Sequence, residues 1–346
     1  MSTVSVIVPC YNYARFLRAC IESVLAQEGV ELSVLIIDDC STDDSQAVGE
    51  ALAAGDARLA YRRHEVNHRH IATYNEGFDW ASGDYTILLS ADDLLTPGAL
   101  RRSAGLMDAH PEVGFVYGRT IFLREGKRTP APRIEHKGWK IWKGAEWIEK
   151  RCEATTNNIS SPEVLLRTSL VKTLGGFRPE LPHTADLEFW MQCAALADVG
   201  YVRGAHQAYY RKHGASMLHQ HFNAPLIDLQ QRKAAFDALF DVHGHRIPDA
   251  GRLRSLANKG LAQHALWGAS RAYERGRLDK IPADELIAFA KETCPGAESL
   301  GAYSALRRRQ RLGPRYSLAL QPVSMLPLVR RIRDIVAWQA VQRRGV

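Results

Sequence analysis

Asp84-Tyr85-Thr86-Ile87-Leu88-Leu89-Ser90-Ala91-Asp92-Asp93 is an apolar run that ends abruptly in two adjacent carboxylates. A buried strand with two acids at its C-terminal tip builds a place to hold a divalent cation. Hard ions such as Mg2+ or Mn2+ want carboxylate oxygens and commonly share a phosphate. The run therefore points to chemistry on a nucleoside diphosphate.

Upstream of it, the pattern strand, loop, helix recurs. Val4 to Val8 is apolar and β-branched, Pro9-Cys10-Tyr11-Asn12 breaks it, and Phe16, Leu17, Cys20, Ile21, Val24 and Leu25 follow at helical spacing. Leu32 to Ile37 predicts a second strand, Asp38 to Asp43 a loop rich in capping residues, and Ser45 to Ala54 a helix. Arg58 to Tyr61, Ile71 to Trp80, the opening run itself, a helix over Pro97 to Ala109 started by its proline, and a strand over Gly114 to Tyr117 continue the alternation. Such a series predicts right-handed βαβ units and a mainly parallel sheet flanked by helices on both faces. Ligands of such sheets bind beyond the carboxyl ends of the strands. Tyr11-Asn12, Asp38-Asp39 and Asp92-Asp93 all stand at those ends and should meet in one cleft.

With 346 residues the chain exceeds one ordinary domain, so a catalytic domain over 1–216 and a helical region over 217–346 are expected. Six scattered cysteines with no CxxC pair read as reduced thiols rather than as a disulfide framework or a zinc site. With no signal-peptide pattern at the start and no run of about 18 apolar residues, a cytoplasmic location is expected. The net charge of +7 is uneven: Arg307 to Val346 holds ten arginines against one aspartate, +9, leaving −2 for residues 1 to 306. A nucleic-acid binder is not expected, since the basic tail lacks interleaved aromatics and the remainder is slightly acidic.

Each acidic cluster has a plainer reading. Asp38 to Asp43 alone is as readily a capped turn, and Asp92-Asp93 ahead of Pro97 could be a helix cap. Acids at the ends of both the second and the fourth strand, with no GxGxxG loop after the first, are harder to explain as turn chemistry and argue against a dinucleotide site.

Together these segments resemble the family 2 glycosyltransferases with the GT-A fold, over roughly residues 3 to 215. The resemblance is carried by Val4 to Asn12, Ile21 to Gln27, Ile36-Ile37-Asp38-Asp39-Cys40-Ser41-Thr42-Asp43, Asn75-Glu76-Gly77, Gly83-Asp84-Tyr85 and Leu174-Gly175-Gly176-Phe177. It implies an α/β, Rossmann-like catalytic domain with a C-terminal helical appendage. It also implies that Pro9, Tyr11 and Asn12 line the nucleotide pocket with Tyr11 against the base, that Asp39 accepts a hydrogen bond from the base, and that Arg69 contacts base or phosphates. Asp92 faces ribose or metal and Asp93 the metal, Mn2+ or Mg2+. Many members carry Asp-x-Asp-Asp where this chain has Ser90-Ala91-Asp92-Asp93.

Ala185-Asp186-Leu187-Glu188-Phe189-Trp190-Met191-Gln192 is similar to the family's Glu-Asp-x-Asp-Leu-Trp-Leu-Arg, which puts Asp186 at the position of the base that deprotonates the acceptor hydroxyl, with Glu188 as the fallback. Ala185 and Gln192 replace the family's first acid and its arginine. Tyr209 to Ser216 is similar to its Tyr-Arg-x-His-x-x-Ser segment; there His213 can join the metal and Arg211 can neutralise diphosphate charge. The remaining histidines, His64, His68 and His70 among them, are expected to be structural or superficial.

The activity so implied is inverting transfer of a sugar from a nucleotide diphosphate donor, a UDP-sugar ahead of a dTDP-sugar, to a saccharide or lipid-linked hydroxyl acceptor in surface polysaccharide or glycolipid assembly. An inactive nucleotide-binding member and a sugar nucleotidyltransferase are the alternatives. The segment Leu318 to Arg344 mixes apolar residues with arginines. It reads equally as an amphipathic helix on the anionic cytoplasmic face of a membrane or as a solvated helix packed on the protein.

Overall fold

Val4, Val6, Ile7 and Val8 are fully buried, and all of strand β1 (Thr3–Cys10) beyond its first residue is buried as well. A β-branched run with no polar alternation suits a central strand covered on both faces. In the computed structural model, which describes residues 1–213, 224–319 and 345–346, β1 is such a strand. It pairs in parallel with β2 (Glu31–Asp38) on one side and β4 (Tyr85–Leu88) on the other. β3 (Leu59–Arg63) extends the parallel set beyond β2. Helix α1 (Ala14–Leu25) buries Leu17, Cys20, Ile21 and Val24, spaced by three, one and three along one face, against this sheet.

Further strands complete the order β3-β2-β1-β4-β9-β6-β10-β8, with β6 (Val113–Tyr117), β8 (Trp139–Trp142), β9 (Leu165–Arg167) and β10 (Asp198–Val202). β9 runs antiparallel between β4 and β6, and β8 antiparallel at the edge. A second sheet, β5-β11-β7, is built from β5 (Leu94–Leu95), β7 (Thr120–Arg124) and β11 (Ala208–Lys212). Helices α2 (Ser45–Gly55), α3 (Arg69–Trp80), α4 (Ala99–Ala109), α5 (Gly144–Ala154), α6 (Thr168–Leu174) and α7 (Ala185–Leu196) alternate with the strands.

Two local expectations are corrected. Pro9 lies inside β1 rather than in the loop after it, and it is buried. Its carbonyl accepts Ala91 N–H, so its missing donor faces the side on which β4 has already ended at Leu88. Pro97 does not open the next helix. It stands in a turn two residues before α4, which Gly98 introduces with φ 69.

α3 lies close on the sheet because residue 77 is glycine: a Cβ there would stand 2.2 Å from Ile7 Cγ2. The motif's Asn75 has a second use. Its Oδ1 accepts Phe177 N–H at 2.7 Å and its Nδ2 donates to Phe177 O at 2.8 Å, a two-bond clasp between α3 and the segment leading to α7. Phe177 then packs edge-on to Phe78, Phe189 and Trp190. Two of the sequence motifs are thus halves of one contact.

The described residues of Met1–Trp147 and Asn158–Ser216 form one compact unit, and those of Ile148–Asn157 and Met217–Gln342 a second. In the second, α9 (Ala250–Glu274) carries a stripe including Ala257, Leu261, Ala265 and Ala269, and small side chains let its neighbours approach. It packs against α8 (Pro225–His243), α10 (Ala283–Thr293) and α11 (Gly301–Ala319), the last interrupted at Gly313 with φ 74. Among the described residues no helix is long and apolar enough to cross a membrane. The basic amphipathic stretch expected over Leu318 to Arg344 lies almost wholly outside the described residues.

Candidate active site

The order β2-β1-β4 sets the three polar clusters side by side at the carboxyl ends of adjacent parallel strands. Of the five described non-glycine residues with positive φ, three belong here: Asn12 (φ 59), Cys40 (φ 63) and Arg69 (φ 66). Left-handed backbone costs a residue bearing Cβ about 1–2 kcal/mol, so the surrounding bonds must hold these turns. Asn12 does so directly. Its N–H donates to Ser41 Oγ at 2.9 Å and its Oδ1 accepts Thr42 N–H at 2.7 Å, joining the first loop to the second. Tyr11 is left 46% exposed beside it.

Asp38 and Asp39 divide their work. Asp38 is fully buried and accepts Ser41 N–H and Tyr61 O–H, both at 2.8 Å, which shapes the loop. Asp39 Oδ1 receives His68 N–H at 2.7 Å and stands 2.8 Å from His64 Nδ1, and its carbonyl takes Asn67 Nδ2 at 3.1 Å. His64 Nε2 is 2.7 Å from Glu76 Oε2, whose other oxygen pairs with Arg62 at 2.6 Å. Burial works against protonation of His64, but the two carboxylates flanking it outweigh this and raise its pKa. Arg69 is exposed at the start of α3, with its N–H held by Asn67 Oδ1 at 3.0 Å.

At the end of β4, Asp93 is 2% exposed and its Oδ1 accepts Arg211 N–H at 2.8 Å. Asp92 Oδ2 is 2.9 Å from His213 Nε2, and Arg211 Nε donates to the Asp92 carbonyl at 2.9 Å. Arg211 and His213 leave β11 over the ring of Phe16, the guanidinium carbon 4.5 Å from its centroid and the imidazole 5.3 Å. Burial and the neighbouring Asp92 together push Asp93 well above the usual carboxylate range. Two adjacent buried acids with that excess of negative charge suit a hard divalent cation, with phosphate oxygens completing its shell. The residues therefore fit such an ion. They do not, however, gather three ligand atoms as closely as His64, His68 and Glu76, whose candidate atoms lie within 4.8 Å of one another. Both nitrogens of His64 are already engaged by carboxylates, so that trio acts here as a hydrogen-bonded support for Asp39.

Asp186 stands in the first turn of α7, its Oδ1 accepting Leu187 N–H at 2.7 Å. Its proximity to the other acids is visible in two phenols. Burial first, and then Asp92 and Asp186 both, raise the pKa of Tyr74. Tyr210 is pushed up to about 12 by burial, Asp93, Asp92 and Asp186. Tyr13 is raised by burial and by Asp92, and its ring meets His213 edge-on at 5.7 Å. Ser90 hydrogen-bonds the Tyr74 side chain.

Glu188, the expected fallback base, sits away from solvent with both oxygens engaged, Oε1 by Arg178 Nε at 2.8 Å and Oε2 by Gln192 Nε2 at 2.7 Å. Gln192, in the place of the family's arginine, thus closes an internal pair. Pro9, buried within β1, reaches the loop only through its carbonyl bond to Ala91. Tyr74, Tyr210 and Tyr13 were given no role in the sequence reading, and His64, expected to be structural or superficial, is the buried support of Asp39. Only the adjacency of Tyr210 to Arg211 and of Tyr74 to the Asn75 motif hinted at the first two.

The description "Glycosyl transferase family 2" matches residues 5–170. An uncharacterized protein of Mycobacterium tuberculosis is 28% identical over 239 residues, 62% of this chain and 68% of its own length. The GalNAc(5)-diNAcBac-PP-undecaprenol beta-1,3-glucosyltransferase of Campylobacter jejuni is 33% identical over 128 residues, 36% of this chain and 40% of its own. Among solved structures, S. aureus TarS in complex with UDP-GlcNAc superposes with a TM-score of 0.66 at 17% identity, covering 91% of this chain and 89% of that one, which shows a shared fold. With its GT-A architecture and this match, residues 5–170 carry a glycosyl transferase family 2 domain, and the chain is a glycosyltransferase.

Proposed function

We propose that the chain is an inverting, metal-dependent transferase that moves a sugar from a nucleoside diphosphate, a UDP-sugar before a dTDP-sugar, to a hydroxyl acceptor. The acceptor is a saccharide or lipid-linked glycan in surface polysaccharide or glycolipid assembly, and the chemistry belongs to residues 1–216. The observation that carries this reading is that the buried Asp92-Asp93 pair at the end of β4 is tied to Arg211 and His213, and that Asp92 and Asp186 act on the same two phenols, Tyr74 and Tyr210. A base for the acceptor and a seat for the leaving diphosphate are then neighbours.

In this reading Asp39, its Oδ1 fixed by His64 and His68, presents its carboxylate to the imide N–H that uracil and thymine share. Tyr11 offers an exposed ring to the base, Asn12 sets the loop under it, and Arg69 and Arg211 supply positive charge to the phosphates. Asp93, with Asp92 and His213, would hold Mn2+ or Mg2+, which when bound offsets the charge gained by the departing diphosphate. Asp186, within about 2.6–3.2 Å of the acceptor hydroxyl, takes its proton as the oxygen attacks from the face opposite the diphosphate. One displacement inverts the anomeric carbon. A donor of this class occupies the TarS structure of the same fold, and the Campylobacter relative is named for a polyprenyl-diphosphate acceptor.

Calorimetry of UDP, dTDP, GDP and ADP with and without Mn2+, on the wild type and on Asp93→Ala, tests the donor half. Metal-dependent binding of a pyrimidine diphosphate that the variant loses is the expected result. No binding of any nucleotide in the presence of metal would remove the donor site.

A further inference from the structure

A second set of charged groups lies in the same unit, away from the acids. Arg119, Arg133, Lys137 and Arg203 line a pocket of about 680 Å3, with Glu135 as its one carboxylate and His136 beside it. That volume is within the range of about 300–1,000 Å3 usual for small-ligand sites.

The backbone that carries these cations is fixed. Segment 133–138 is laced to 203–206 by four hydrogen bonds: Arg133 N–H to His206 Nδ1 at 2.8 Å, His206 N–H to Arg133 O at 2.8 Å, Lys137 N–H to Arg203 O at 2.7 Å and Arg203 N–H to Gly138 O at 3.1 Å. Gly204, with φ 87, lets the Lys137 stem pass, since a Cβ would stand 2.9 Å from Lys137 Cγ. No ion pair to Arg133, Lys137 or Arg203 occurs among the described residues. Their field is felt inside: burial, and then Arg133, Arg119 and Arg102, push His206 down to about 4, so it stays neutral and accepts the Arg133 N–H.

A second hollow of about 770 Å3 shares Ile134, Glu135 and His136 with the first and adds Arg101 and the ring of Trp139, stacked on His136 with centroids 5.9 Å apart. An aromatic plate beside a cationic basin suits a sugar carrying a phosphate. β11 runs from Ala208, beside this basin, to Lys212, beside the acids. From its first residue to its fifth it rises about 14 Å at some 3.4 Å per residue, too far for the two regions to share one phosphate.

We propose that this pocket binds the phosphoryl group of a phosphate monoester or diester of a saccharide, separately from the donor site. The guanidinium groups of Arg133 and Arg203 and the ammonium of Lys137, which line one pocket and have no ion pair among the described residues, are the usual receptor for that dianion.

The test is calorimetry on the full chain, in chelator-treated buffer for the phosphate probes, inorganic pyrophosphate and a short oligomer of glycerol phosphate, with sodium sulfate at matched ionic strength as the control, and in a separate titration with Mn2+ for UDP. Both phosphate probes should bind the wild type. Tighter binding of the oligomer marks an extended phosphodiester ligand, and equal binding a free phosphate. Arg133→Ser/Arg203→Ser should lose at least tenfold in affinity while retaining UDP binding. Should that variant unfold, Lys137→Glu, whose side chain is exposed, provides the same reading. Asp39→Asn should lose UDP and keep pyrophosphate. Undiminished binding by the Arg133/Arg203 variant, or loss with Asp39→Asn instead, would overturn the proposal without touching the donor reading.

Discussion

Glu163 and Glu188 are acids sealed inside the first unit, and burial acts on them differently because their partners differ. Glu188 has a guanidinium on one oxygen. Glu163 has only Thr120 O–H at 2.5 Å and Ser160 N–H at 3.1 Å, and burial pushes it up to about 8. A carboxyl with a raised folded pKa contributes stability that is complete below its unfolded value of 4.5 and is lost as pH climbs through 8. Glu163→Gln keeps a donor and an acceptor without the charge, so it should come close to the wild type in urea melts at pH 5 and exceed it by roughly 5 kcal/mol above pH 8. The two acids of α7 separate kinetically. Asp186→Asn should lower kcat by about 10²–10⁴-fold, while Glu188→Gln stays within a few-fold and appears as a lower melting temperature. That division was present in the spacing, since a helix turns about 100° per residue and sends positions 186 and 188 to nearly opposite faces. What could not be read was which face met the cleft.

At the level of elements, the parallel strands were legible because β1, β2 and β4 are long apolar runs that end in polar loops. β9 was not, since three residues, Leu165-Leu166-Arg167, carry no period, and their antiparallel insertion between β4 and β6 depends on partners distant in the chain. The three-stranded sheet that delivers Arg211 and His213 was invisible for the same reason; β5 is two residues long. Where α3 crosses β1, Gly77→Ala should cost about 1–3 kcal/mol by forcing a methyl against Ile7. Ile7→Val in the same chain keeps Cγ2, the atom struck, so the double variant should recover little. Melting the two variants side by side would show recovery if the helix shifts instead of straining.

For the whole molecule, charge and topology give separate lessons. The −2 of residues 1 to 306 and the +9 of the remainder belong to different tasks if the tail engages anionic lipid. The full chain should co-sediment with vesicles of anionic lipid at low salt, and a chain ending at 314 should stay in the supernatant; equal pelleting of both would assign the arginines to packing or solvent. Alternating versus uniformly helical patterns led the sequence reading to expect a catalytic region and a helical one, and the described residues form two compact units of their own. The assignment of 148–157 to the second unit could not be anticipated, because nothing in Ile148 to Asn157 breaks the composition around it. The Asn75 clasp has a consequence for turnover. α3 begins at Arg69, on the donor side, and the segment clasped to it leads into Asp186, on the acceptor side. If the proposed roles hold, the gap a migrating sugar must cross is inherited from folding and already set in the resting enzyme, and this part of the catalytic cycle needs no assembly step.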